Sequence, residues 1–125
     1  MDHLQAENFG GLVAPVWERL RQQLNFIIEI DKLKQVLRQT PLMDRSRQET
    51  DAEHSWHIAL MAVLLAAHAA EKDIDLLRVV KMLLLHDVVE IDAGDTFCYD
   101  SNAVTSQDER EALAADRIFG LLPAD

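Results

Sequence analysis

Apolar residues recur at three-or-four spacing from Val16 onward: Trp17, Leu20, Leu24, Ile27, Ile28, Leu33, Val36 and Leu37 form one helical stripe. The spacing predicts a first helical region, in one piece or bent near Glu29 and Asp31. It should end at Thr40-Pro41, because a residue before proline disfavours the α region. Leu42 to Thr50, with Asp44-Arg45-Ser46-Arg47-Gln48-Glu49 inside it, reads as a connecting loop. Thr50 or Asp51 then caps a second helix running to about Ala70. Beyond His57 that helix is apolar on nearly every face, the pattern of a helix buried in a core. Asp73 caps a third helix, Ile74 to about Asp92, with Leu76, Leu77, Val80, Leu83, Leu84 and Asp87 along one side and Gly94 as its stop. Thr96 to Thr105 reads as a loop anchored by Phe97 and Tyr99. Ser106 and Glu109 form a capping box for a last helix to Leu122, apolar at Leu113, Ile118, Leu121 and Leu122. Gly10-Gly11 and Pro15 interrupt any earlier helix, so residues 1–15 read as a mobile arm. No hairpin dipeptide, sustained alternation or repeat is present. The predicted fold is all-α, a bundle of four to five helices over residues 16–125.

Composition narrows the function classes. A chain of 125 residues, 49% hydrophobic and 27% charged, suits one ordinary domain. At this size roughly two-thirds of the unfolded surface can be buried, so a core needs no disulfide. The lone Cys98 excludes an internal disulfide and fits a reducing compartment. Twelve basic against 22 acidic side chains leave a net charge of −10, which argues against a broad nucleic-acid groove. It leaves room for a small phosphorylated ligand held by a metal and one or two arginines. The first residues lack the basic start and apolar stretch of a signal peptide. The apolar runs at 58–70 and 79–85 fall short of the ~20 residues a membrane span needs. The expectation is a soluble cytoplasmic protein with no membrane partner.

The chemistry gathers at the end of the third helix. Leu83-Leu84-Leu85 delivers His86-Asp87, and carboxylates follow at Glu90, Asp92 and Asp95. An ionised carboxylate there costs several kcal/mol to desolvate unless a counter-charge or metal compensates. The second and third helices should run antiparallel, which sets the start of one beside the end of the other. His54, in Glu53-His54, can therefore meet His86-Asp87. Histidine with carboxylate suits a borderline divalent ion: manganese, cobalt, iron, nickel or zinc, with magnesium also open. His57 is read as structural. His68 lies roughly 21 Å along the helix from His54, at 1.5 Å per residue, too far to share an ion. Arg47, with Arg45, is the natural phosphate contact from the preceding loop. Trp17 and Trp56 are read as core.

Glu53-His54, then His86-Asp87, Glu90 and Gly94-Asp95, in an all-α context, resembles the HD-domain metal-dependent phosphohydrolases. Within them the chain is most similar to the branch of bacterial 5′-deoxynucleotidases and the HD-domain-containing protein 2 group, over roughly Phe26 to Leu122. The resemblance implies an HD-domain bundle with a divalent metal on His54, His86 and Asp87. It implies Glu90 as the acid acting on water at the metal and Asp95 as a second functional carboxylate. The implied activity is release of phosphate from nucleoside or deoxynucleoside 5′-monophosphates or a similar phosphomonoester, and the expected assembly is a homo-oligomer, a dimer. The sequence departs from the family at two places. The family's last ligand Asp lies on a later helix, so the chain reads as lacking the last helices; Asp116 and Asp125 do not fall where the pattern expects that ligand. An Arg-Trp pair before Pro-Leu is replaced by Gln39-Thr40, with Arg38 displaced by one position. The alternative reading is a non-catalytic or incomplete helical metal-binding module acting through oligomerisation.

Overall fold

The computed structural model describes residues 14–94 and 101–124, the side chains of 101–105 excepted. Helix α1 spans Ala14–Ile30 and is followed by a 3-10 turn at Asp31–Gln35. A two-stranded antiparallel hairpin comes next, β1 (Leu37–Pro41) and β2 (Gln48–Thr50), paired Leu37 to Thr50 and Pro41 to Gln48 with an irregularity between. Helix α2 (Asp51–Leu65) ends in a short 3-10 turn at Ala66–His68. Helices α3 (Leu76–Leu85), α4 (Glu90–Ala93) and α5 (Ser101–Phe119) complete the order. The chain is mostly helical with a small sheet.

Several boundaries differ from the sequence reading. The first α-helix stops at Ile30, well before Thr40. Leu33 and Val36 keep the apolar rhythm, but they do so from a 3-10 turn and the residue after it, and both pack on the core. Leu37 to Pro41 is a strand, and the expected 42–50 loop closes a hairpin. Its turn is held by Leu42 N–H to the Arg47 carbonyl at 2.9 Å and Arg45 N–H to the Leu42 carbonyl at 2.9 Å. Asp44 accepts from the Ser46 amide, an Asx turn. Arg45 takes φ +64° there, unusual for a residue with a side chain. Pro15 sits inside the first turn of α1, where a missing N–H costs nothing. Asp75, not Asp73, caps α3 by accepting from the Arg78 amide at 3.1 Å. Helix α5 starts at Ser101, so Ser106 lies within it rather than capping it. Residues 1–13, and Asp95 to Asp100 with Phe97, Cys98 and Tyr99, lie outside the described residues.

Two signals hold. Thr50 caps α2, its hydroxyl accepting from the Glu53 amide at 3.2 Å. Gly94 ends α4 at φ +73°, ψ +159°, a conformation that is essentially glycine's own, with its N–H on the Glu90 carbonyl.

The core is small and lies behind the candidate site. Phe26, Leu33, Val88, Ala114 and Ile118 are buried together, with Val89, Ile91, Phe119 and Leu122 packed on them. Val88, 2% exposed, directly follows Asp87, so its burial constrains the position of the residue before it. Helix α2, by contrast, is not enclosed. Trp56 is 62% exposed and Leu64 69%, and only Asp51, Ser55 and Ala59 are buried on it. On α1, Ile28 is likewise exposed, and Phe26 and Glu29 carry the buried face.

Polar ties fasten α5 to this frame. Gln107 donates to the Gly94 carbonyl at 2.8 Å. Arg117 grips both Asp92 oxygens, at 2.5 and 2.8 Å, and reaches buried Glu29 of α1 at 2.5 Å. Hydrogen bonds from Arg117 are the main cause holding the Glu29 and Asp92 carboxyls below their usual range, with Lys32 adding to the effect on Glu29. Folded values below unfolded ones mean stabilisation present above the unfolded pKa of about 4 and lost as pH falls through the lowered folded values. Arg117→Ala is therefore expected to cost about 1–2 kcal/mol at pH 7. Denaturant unfolding at pH 7 and pH 3 checks this: the gap to the parent chain should narrow at the lower pH.

Candidate metal centre

The site forms where two helix ends meet. Thr50 caps α2 so that His54 projects from its first turn. Helix α3 ends at Leu85, earlier than the expected Asp92, and the chain tightens into successive turns with three-residue hydrogen bonds such as Val88 N–H to the Leu85 carbonyl. His86 and Asp87 sit in that tightened stretch, with the core residue Val88 behind them. One ligand atom each from His54, His86 and Asp87 lies within 4.8 Å of the others. The two imidazole rings are 5.8 Å apart between centroids.

Hydrogen bonding sets the tautomers. His86 Nδ1 lies 2.6 Å from the Leu83 carbonyl, which can only accept, so Nδ1 carries the proton and Nε2 the lone pair in the neutral ring. That Nε2 stands 3.2 Å from Asp87 Oδ2. Two lone-pair atoms face each other at that distance unless a cation or a second ring proton intervenes. His54 Nδ1 lies 3.3 Å from Glu49 Oε1, leaving its Nε2 as the ligand nitrogen. A ring N–H given to a carbonyl or carboxylate, with the other nitrogen turned to an ion, is the arrangement of metal-ligating histidines. Burial is the first cause, and the charge of Arg38 the second, that push the His54 pKa down, against the opposite pull of Glu49 and Asp87. That direction favours the neutral ring, which metal ligation requires. Two imidazoles and a carboxylate fit a divalent ion of the borderline class.

Beside these residues opens a cleft of about 890 Å³, walled by Arg38, Arg47, Glu49, Glu53 and His54 on its polar side. Met43, Trp56, Leu60 and Met61 line its apolar side. Arg47 is part of the wall, its Nη1 3.0 Å from Glu53 and 3.1 Å from the Gln48 carbonyl. Arg45 lies on the same loop and is not among the lining residues. Glu90 is buried, one turn beyond Asp87, its amide on the Asp87 carbonyl at 2.9 Å. Asp95 lies outside the described residues. His57 lines the cleft but does not join the ligand cluster; its ring stacks 6.1 Å from that of Trp56. Trp56 is therefore a cleft residue rather than a core one.

Sequence reasoning missed two groups. Glu49 orients His54, and Arg38 reaches Asp87, Asp51 and Glu49 at 3.4, 3.6 and 3.3 Å. Both lie on the hairpin, whose existence no alternation announced.

A profile of the HD domain family matches residues 30–125. The chain belongs to the HD-domain family. It is 32% identical over 107 residues to the human 5′-deoxynucleotidase HDDC2, covering 84% of this chain and 50% of that protein. It is also similar to the crystal structure of a predicted metal-dependent phosphohydrolase from Magnetospirillum magnetotacticum MS-1, with 59% identity and a TM-score of 0.76. That match covers 85% of this chain and 53% of the solved one. The chain thus spans about half the length of the relatives it matches. Among the described residues, no helix is long and apolar enough to cross a membrane.

Proposed function

We propose that this HD-domain chain is a metal-dependent phosphohydrolase releasing phosphate from nucleoside or deoxynucleoside 5′-monophosphates, or from a similar small phosphomonoester. The observation that carries the reading is the convergence of His54, His86 and Asp87 from two helix ends, with ligand atoms within 4.8 Å. The two histidines would hold a divalent cation through Nε2 and Asp87 through its carboxylate. Such an ion supplies Lewis acidity, making water nucleophilic near neutral pH and offsetting phosphoryl charge. Glu90 orients the attacking water and takes its proton. Asp95 is the second assisting carboxylate. Arg47 exchanges its Glu53 and Gln48 partners for phosphate oxygens, with Arg45 of the same loop as a second cation. The polar and apolar walls of the cleft suit a ligand that is anionic at one end and flat and apolar at the other. The names of the human and Magnetospirillum relatives support the same class.

The test is phosphate release from a panel of ribo- and deoxyribonucleoside 5′-monophosphates and simple phosphomonoesters, with added Mn2+ or Co2+. Metal-dependent release from the nucleotides is expected. A chain that binds metal and hydrolyses none of the panel overturns the proposal. The exposed apolar residues of α1 and α2 favour one alternative, a metal-binding helical module that acts as a dimer without catalysis. Sedimentation showing a dimer with bound metal and no phosphate release would establish it.

A further inference from the structure

Arg38 stands at the centre of four carboxylate and imidazole groups. Its Nη1 lies 3.4 Å from Asp87 Oδ2 and 3.6 Å from Asp51 Oδ1, and its Nε lies 3.3 Å from Glu49 Oε1. The same Glu49 oxygen is 3.3 Å from His54 Nδ1. One guanidinium therefore touches a ligand from the α3 end directly, and reaches the ligand on α2 through a single intervening carboxylate.

Asp51 explains why Arg38 can hold this position. It is 0% exposed, at the first residue of α2, with its backbone N–H on the Val36 carbonyl at 2.8 Å. A buried carboxylate requires a compensating charge, and Arg38 is the cation beside it. The hairpin supplies the register: Leu37 pairs with Thr50, which sets Arg38 and Glu49 on adjacent strands. The buried Asp51 thus places a counter-charge 3.6 Å from Arg38, and Arg38 in turn lies 3.4 Å from Asp87 and 3.3 Å from Glu49. The planar fork matters, because one guanidinium presents several donors in set directions and an ammonium presents a point charge.

We infer that Arg38, anchored by the buried Asp51, is a positioning residue that joins His54 and Asp87 into one metal-binding site. This rests on the reading of His54, His86 and Asp87 as metal ligands.

Charge alone makes the opposite prediction. Removing a cation beside Asp87 should tighten a divalent ion, whereas losing the positioning should weaken it. The deciding variant is therefore the charge-conserving pair, Arg38→Gln with Asp51→Asn, which removes one charge of each sign. Arg38→Gln alone removes the cation beside the buried Asp51, so that single change also reports stability. Mn2+ affinity is read by calorimetry on the full chain, and Co2+ absorption reports ligand geometry. The expected result for the pair is a midpoint of thermal unfolding close to the parent's, Mn2+ affinity lowered tenfold or more, and an altered Co2+ spectrum. Arg38→Lys should show the same weakening although its charge is kept. Parent-like Mn2+ affinity in the double variant, or full rescue by lysine, overturns the inference. A parent chain that binds no Mn2+ overturns the metal centre itself and this inference with it, whereas weak binding confined to the Arg38 variants leaves the metal-centre reading intact.

Discussion

His86→Ala is expected to leave the chain folded and to abolish divalent-ion binding. The imidazole lies at the C-terminal end of α3, partly in solvent, and its removal opens no cavity in the core. Val88 and its neighbours still anchor the turn. The stability change should stay within about 0.5 kcal/mol, as for other surface positions. Metal binding has no such reserve. Loss of a hydrogen-bond partner behind a ligand already costs about 10–100-fold in affinity or activity, so loss of the ligand itself should cost at least about 100-fold. The Leu83 carbonyl that oriented the ring is left facing water and cannot substitute for it. His57→Ala and His68→Ala are the matched controls, since neither residue belongs to the cluster, and both should keep Mn2+ affinity within about twofold. Calorimetric titration of the three variants with Mn2+ decides the matter. A His86→Ala chain that binds the ion as tightly as its parent removes the site from consideration.

Glu90→Gln is expected to separate the proposed hydrolysis from metal binding. Glutamine has the shape of the glutamate, so the buried side chain keeps its packing against the turn that follows Asp87. The substitution removes the negative charge and the capacity to take a proton while keeping the side chain's shape. General-base contributions run to about 10²–10⁴-fold, and the hydrolysis rate at saturating Mn2+ should fall by that factor. Metal affinity should move by no more than about threefold, because the ligand atoms are untouched. Paired measurement of turnover and Mn2+ affinity tests both halves. An unchanged turnover number would place Glu90 outside the reaction and leave it as a structural carboxylate. The contrast with His86→Ala is diagnostic: one variant loses both properties, the other only the rate.

The Thr50 cap, the Gly94 stop and the meeting of His54 with His86-Asp87 were legible before any coordinates, because the first two are local signals and the third follows from the order of two helices. Thr50 announces a helix start through its own hydroxyl, and Gly94 an end through a conformation other residues avoid. Two consecutive antiparallel helices bring residues near their joined and free ends together whatever their packing details, so the three-residue cluster followed from order alone. The limits were equally physical. Leu33, Val36 and Leu37 continue a helical rhythm, yet the backbone leaves the helix after Ile30. Periodicity records which residues face the core and is silent on whether a 3-10 turn presents them.

What the sequence alone determined was an all-α frame, the family resemblance and the candidate ligand set. Tertiary structure decided the surroundings of those ligands. Arg38 and Glu49 enter the site because a short hairpin with an irregular register aligns them, and neither an alternating pattern nor a hairpin dipeptide within residues 37–50 announces that pairing. The second helix looked like core by its apolar composition, but Trp56 and Leu64 are exposed and Asp51 is buried. Composition measures how well a side chain tolerates burial. Whether it is buried depends on which other elements reach it, and that is settled only when the whole chain has folded.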